Sequence, residues 1–322
     1  MAADFRNDPA LQEVIQRLEI ERKAIVALQG KAGLYALTGI LVLIGFGLLG
    51  IALFWFYIPA IAALIYAFTI YLKVTPAYRA YRHSFKANVL TAILKSNYQD
   101  ITFEPYEGLS LEEFQSSQLF SHTPDRYDTE DRITGSLAKT NFYFSEADAS
   151  YKTESTDSKG NKTETWHEIF KGIIFTADFN KNFNGVTLIR PEDIGSSIAD
   201  WFAKALPIFN SSGNTKVLLE DPEFNKTFST HSTDQIEARY ILTPSMMSRI
   251  LALNQKTKST ISLSFIASRV YIAFPISGNY FEPPLKKSIP EDTSIDQDLY
   301  IVQFMYDIVN ELDLNTRIWG KN

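Results

Sequence analysis

Cysteine is absent from this chain. That excludes disulfides, thiol nucleophiles and cysteine-based zinc sites, without fixing the redox compartment. Histidine is scarce: His83, His122, His167 and His231 are dispersed, with no His-x-x-x-His spacing. Zinc is therefore not expected, and neither is any other metal or cofactor. A glycine-rich phosphate loop and a Gly-x-Ser-x-Gly nucleophile elbow are both missing. The most consequential absence is local. The 40 residues from Gly33 to Leu72 contain no Asp, Glu, Lys, Arg or His.

One helix of that length would be ~60 Å long, about twice the hydrocarbon thickness of a bilayer. The economical reading is two membrane-spanning helices, roughly Leu34–Phe54 and Ile58–Leu72, with almost no loop between them. A single span plus a re-entrant segment is the alternative. Trp55, Phe56 and Tyr57 mark the turn, because aromatic rings with a polar edge favour the membrane–water interface. Pro59 fits the first turn of the second helix, where a missing N–H costs nothing. Neither span holds an ionisable residue, which disfavours a transporter.

Basic residues flank the spans. Arg22, Lys23 and Lys31 precede the first; Lys73, Arg79, Arg82 and Lys86 follow the second, and no acidic residue occurs between Leu72 and Asp100. The positive-inside rule then puts both termini in the cytoplasm of a multi-pass membrane protein. Trp55, Phe56, Tyr57, Lys73, Arg79 and Arg82 are the expected membrane-interface residues. Residues 1–95 carry 10 Lys/Arg against 5 Asp/Glu, and the whole chain is −6, so the remainder is strongly acidic. A basic membrane-proximal part suits anionic lipid head groups, and an acidic distal part argues against nucleic acid as a partner.

The rest divides into an amphipathic helix within 1–32, the hairpin 33–72, a basic juxtamembrane stalk helix within 73–96 and a domain over 97–322. Asp8-Pro9 and Thr75-Pro76 read as helix starts, the second opening the stalk at Pro76. The distal domain is α+β. Ile101–Phe103, Ser136–Glu154, Thr163–Asp178, Val186–Ile189, Val217–Leu219, Thr260–Ile266 and Val270–Phe274 are strand candidates, with a turn at Asp157–Asn161. Ser110 with Glu113, Ser232 with Gln235, and Thr243-Pro244 open helices. A last helix is expected over Ile295–Leu312. Ile194–Phe209, with Trp201 and Phe202 on one face, is either a core-packed helix or an aromatic contact surface. The expected fold class is an α+β cytosolic domain on a two-helix transmembrane hairpin.

Several strings make the chain similar to a bacterial membrane-protein family of unknown function catalogued as number 3137. They are Tyr127, Glu130-Asp131 and Gly135; Phe144-Ser145-Glu146; Phe170-Lys171-Gly172; Leu219-Glu220-Asp221-Pro222-Glu223-Phe224; Asp234, Glu237-Ala238-Arg239-Tyr240 and Leu242-Thr243-Pro244; and Phe281-Glu282-Pro283. The resemblance covers most of the chain and supplies no activity. It implies an association with the LemA membrane-protein family.

Two functions remain open. The first is a membrane-anchored interaction module that binds a protein or lipid partner, or a second copy of itself, with Arg239, Trp201 and Phe202 as candidate contact residues. The second is a membrane-tethered hydrolase with a carboxylate site from Asp131, Asp234 and Glu237, two or more carboxylates being able to act as acid and base or to hold a cation. Asp234 and Glu237 can equally serve the start of a helix, and Arg239 is expected to be partly buried beside a carboxylate.

Overall fold

The computed structural model describes residues 9–48, 55, 57–98, 100–156, 160, 162–179, 182–192, 215–276 and 278–314. Phe56, Trp201, Phe202 and the whole of Ile194–Phe209 lie outside them, as does most of the turn at Asp157–Asn161. The chain forms two compact units. One comprises residues 1–97 with 281–298, the other residues 98–280 with 299–322.

The first unit is built on two long helices, α1 (Pro9–Leu48) and α2 (Ile58–Ser84). Both are long and apolar enough to cross a membrane. Buried positions recur at three- and four-residue steps, Leu11, Ile15, Leu18, Arg22 and Ile25 on α1, and at seven-residue steps, Ala60, Ala67, Val74 and Tyr81 on α2. That is the stripe two antiparallel helices need to pack side by side. The helices meet closely at Gly39, where an added Cβ would lie 3.1 Å from the Ala60 carbonyl oxygen and 2.9 Å from Leu64 Cγ. Four residues away, Tyr35 and Tyr66 meet edge to face at 4.9 Å.

The hairpin differs from the expectation in two ways. The amphipathic helix does not stop before the first span, because α1 runs through Gly30 and Gly33 without a break. A lone glycine costs ~1 kcal/mol in a helix but does not end it, and leaving the helix would expose backbone groups. Thr75-Pro76 likewise does not start a new helix, since Pro76 lies inside α2. Proline removes one hydrogen bond there, while Val74 and Tyr81 bury on either side of it and hold the same helical face. After Ser84 the chain makes a π-helical segment, Phe85–Leu90, and resumes as α3 (Thr91–Asn97).

The separate segment Phe281–Asp298 belongs to this unit. The contiguous domain expected over 97–322 is therefore interrupted. Tyr81 donates its hydroxyl to the Pro284 carbonyl (2.8 Å), and Arg22 donates to that of Leu285 (2.7 Å). Glu19 accepts the Ile289 N–H at 3.3 Å. Residues 281–298 thus strap the ends of α1 and α2 together.

The second unit is an antiparallel sheet. Its strands are β1 (Ile101–Glu104), β2 (Arg126–Leu137), β3 (Thr140–Thr156), β4 (Lys162–Asp178), β5 (Val186–Pro191), β6 (Thr215–Lys216), β7 (Phe228–Ser232), β8 (Ser262–Ile266) and β9 (Arg269–Pro275). They lie in the order β1-β2-β3-β4-β9-β8-β5-β7-β6. Four helices accompany them: α4 (Leu111–Ser116), α5 (Pro222–Thr227), α6 (Gln235–Ile241) and α7 (Pro244–Gln255). A final helix, α8 (Ser294–Glu311), has its first five residues in the other unit. Leu109, Phe114 and Leu119 cover one face of the sheet, packing on Ala147, Ala149, Phe170 and Ile174. On the other face Phe304 and Tyr306 of α8 meet Phe274 and Phe142 edge to face. Gly172 of β4 has φ +155°, and an added Cβ would lie 2.1 Å from the Phe274 carbonyl oxygen.

Strands β2 and β7 were not anticipated. Ser136 and Leu137 end β2, so β3 begins at Thr140, and Val217–Leu219 lies just past the two-residue β6 rather than forming a strand. The β3–β4 ribbon carries its polar end in solvent, with Glu154, Thr163 and Thr165 exposed.

Candidate functional site

The carboxylates expected to converge are employed separately. Asp234 caps α6: its carboxylate accepts the N–H groups of Ile236 and Glu237 at 2.9 and 3.0 Å. Ser232, expected at the helix start, instead ends β7, and its hydroxyl accepts the Asp234 N–H at 3.1 Å. The reason is geometric, since the cap must accept from the second and third helical N–H groups and only Asp234 is so placed. Glu237 is buried and accepts the Asn184 N–H at 3.2 Å and the Gly185 N–H at 2.8 Å. It thereby ties α6 to the entrance of β5. Arg239 corrects a further expectation. It is exposed, and it bonds within its own helix to the carbonyl and side-chain oxygens of Gln235 at 3.2 and 3.3 Å.

Asp131 sits elsewhere. The β2–β3 register shifts between Glu130 and Ile133, and Asp131 itself has φ +60°. This β-bulge buries Asp131 completely. Its N–H reaches the Pro105 carbonyl at 3.3 Å, and the next N–H, of Arg132, reaches that of Glu107 at 3.0 Å. Ligand-capable oxygens of Glu130, Asp131 and Glu146 lie within 4.8 Å of one another. Glu146 also accepts the Tyr280 N–H at 2.6 Å. Asp131 is thus grouped with Glu130 and Glu146, and not with Asp234 or Glu237.

A second polar cluster lies in the first unit and was missed from sequence. Glu282 accepts from Arg82 Nε (2.8 Å), from Lys86 Nζ (2.9 Å) and from the Tyr78 hydroxyl (3.3 Å). Lys86 is fully buried. Beside it, Asp298 accepts the Phe281 N–H at 2.9 Å through Oδ1, while its buried Oδ2 has no hydrogen-bond partner. Burial pushes the Asp298 carboxyl up to about 7; the Phe281 N–H and Lys86 oppose that rise, and Glu282 and Asp292 reinforce it. The available signal was the Phe281-Glu282-Pro283 string, set against a basic stalk with no acid of its own.

Arg82, one of the expected membrane-interface residues, and Lys86 are thus both engaged by Glu282. Lys73 and Arg79 are exposed, as is Trp55, and Tyr57 is half-buried. Among the described residues, 15 of the 24 exposed large apolar side chains fall between Leu34 and Leu72. Leu37, Leu41, Ile44, Ile61, Ile65 and Phe68 are among them, and no charge interrupts the band.

These features define a class, an α+β antiparallel-sheet unit joined in one chain to a pair of long apolar helices. Residues 168–314 match the model of the family described as "Protein of unknown function (DUF3137)", the family the motifs resemble. The strings from Tyr127 to Glu146 precede the matched stretch. Comparison with curated proteins gives no match. Among solved structures, the mycobacterial trehalose monomycolate transport factor A, TtfA, is similar at 10% identity and a TM-score of 0.36, over 70% of this chain and 96% of that one. That likeness is too distant to bear on function.

Proposed function

We propose that this protein is a membrane-anchored interaction module of the bacterial inner membrane, with both termini and the sheet unit in the cytoplasm. The observation that carries the anchoring is the uncharged apolar band on α1 and α2. Exposed apolar patches on soluble monomers rarely exceed a few hundred Å². At about 1 kcal/mol for each half-exposed large side chain, transfer of the 15 in this band from water to lipid is worth on the order of 15 kcal/mol. The basic residues on the termini side of the hairpin support the orientation. The partner is a protein or lipid at the cytoplasmic face, and the LemA-family association stands with it. A module is favoured over an enzyme because Asp234 and Glu237 are each engaged with two backbone N–H groups, and Arg239 lies apart from both carboxylates in solvent.

The membrane part is tested by alkaline carbonate extraction of cells that express the full chain. Retention in the pellet is expected, and release overturns the reading. A second reading, the tethered hydrolase, has one observation in its favour, the approach of Glu130, Asp131 and Glu146. Thermal unfolding of the detergent-solubilised chain with Mg²⁺, Mn²⁺ or Ca²⁺ separates the two. A midpoint raised by a cation in wild type but not in Asp131→Asn favours the hydrolase, and unchanged midpoints favour the module.

A further inference from the structure

We infer that Lys31, Lys73 and Arg79 form a collar that binds anionic lipid head groups at the mouth of the hairpin. The inference rests on the membrane reading above and names the lipid it selects. Between Glu21 and Asp100 the chain has no acidic residue, yet it carries nine basic side chains counting His83. They are not equivalent. Arg22 is paired with Glu19, its Nε lying 2.9 Å from a carboxylate oxygen. Arg82 and Lys86 are paired with Glu282, which reaches them from the strap. Lys31, Lys73 and Arg79 are exposed, and among the described residues no carboxylate makes an ion pair with them.

Their depth is fixed by the packing of the helices. Gly39 against Ala60, and Tyr35 against Tyr66, set the antiparallel register. Carried down the hairpin, that register puts Lys31 level with Ile70, roughly 4–5 Å along the axis from Lys73 at ~1.5 Å per residue. Both lysines thus stand at the same edge of the uncharged band, one on each helix. Arg79 lies roughly 9 Å further out, within reach of the head-group layer through its long side chain. Lys95 lies roughly 30 Å beyond Lys73, outside that layer. Two unpaired lysines at one edge of the band and Arg79 a short way beyond, with Arg22, Arg82 and Lys86 engaged internally, match a surface of phosphate monoanions in charge and in place. A zwitterionic head group offsets its phosphate with its own amine, so the surface selects an anionic lipid such as phosphatidylglycerol.

The test uses the full chain in vesicles of equal phosphatidylcholine and phosphatidylglycerol. Vesicles are washed with alkaline carbonate, the protein is extracted at limiting detergent, and the lipid that accompanies it is assayed. Wild type is expected to carry phosphatidylglycerol in excess, by about fivefold for the most tightly held lipid, at ~1 kcal/mol per cation near the surface. The excess should fall in high salt. The K31Q/K73Q/R79Q variant should return to the bulk ratio, and the K95Q/K139Q/K258Q variant, with the same loss of charge, should keep the excess. Retention after carbonate with a bulk lipid ratio in wild type, or an excess that survives in K31Q/K73Q/R79Q, overturns the collar and leaves the anchor standing. Loss of the protein in the carbonate wash overturns the anchor itself, and the collar with it.

Discussion

Replacing Asp298 by Asn should make the protein more stable at pH 8 and not at pH 5. The carboxyl is buried in the first unit, faced by Lys86 from the π-helical segment, Glu282 from the strap and Asp292 just before α8. Its acid constant is raised from an ordinary 3.8 to about 7. The folded state therefore holds a proton that the unfolded chain has released, and folding is favoured most at low pH. That contribution is lost as pH rises from about 4 to about 7, and above 7 the native state carries a buried charge. At ~1.4 kcal/mol per pH unit the loss approaches roughly 4 kcal/mol, an upper figure because buried groups relax. Asparagine is nearly isosteric. Its Oδ1 can keep the 2.9 Å bond from the Phe281 N–H, and its amide replaces an oxygen that has no partner. The new N–H groups need an acceptor, and failing to find one would return ~1–3 kcal/mol. A net gain of about 1–3 kcal/mol at pH 8 follows, read as a rise of several degrees in the unfolding midpoint of the full chain in detergent. Other titrating groups are common to both proteins and cancel in the difference. Parallel pH profiles for wild type and Asp298→Asn would refute the reasoning.

Arg239→Ala should shift the midpoint by less than ~0.5 kcal/mol, because the guanidinium is exposed and bonded only to Gln235, whereas Glu237→Ala should cost about 1–3 kcal/mol by stranding the Asn184 and Gly185 N–H groups; equal effects in thermal unfolding would contradict this. Gly172→Ala should impair folding outright, since its Cβ would lie 2.1 Å from the Phe274 carbonyl oxygen; wild-type expression and melting would count against the β4–β9 pairing. Burial, with Lys216 and Arg190 nearby, lowers the His231 constant from 6.5 to about 4, so stability should fall as pH drops through that window, and His231→Gln should flatten that limb of the stability profile. A single cysteine at Lys258, in a chain that otherwise has none, should resist an impermeant thiol reagent in intact cells and react once they are opened; labelling in intact cells places the sheet unit outside.

What the sequence disclosed depended on how local the determining physics was. The helical hairpin was legible because an uncharged 40-residue run admits few alternatives. The caps at Ser110 and Thr243 were legible because a hydroxyl two or three residues ahead of its N–H partner is a short-range fact. Strand β2 was not, because Arg126, Asp128, Glu130 and Arg132 obscure its alternation and the bulge at Asp131 breaks its period. Nor was the strap. The bond from Arg82 to Glu282 joins residues 200 apart, and no periodicity registers such a contact. Arg239 was misplaced because its apolar neighbours suggested burial, while Ile236 and Tyr240 on the same short helix are themselves exposed.

The strap also bears on why the stalk can be so basic. A run of cations with no acid of its own repels itself, and Lys86 within it is fully buried. A buried ammonium without a counterion would cost several kcal/mol and would lose its proton instead. Glu282 supplies that counterion to Lys86 and Arg82 together, and the Tyr78 hydroxyl adds a third bond to the same carboxylate. The chain on either side of the strap leads into the sheet unit, through β9 before it and along α8 after it. The charge balance at the foot of the hairpin therefore requires residues that the chain adds only after most of the sheet has been made. Glu282→Gln removes the charge of the shared counterion while keeping its size, so two cations lose an ionic partner at once. The cost should exceed that of Lys86→Met, which removes a buried charge along with its need for a partner.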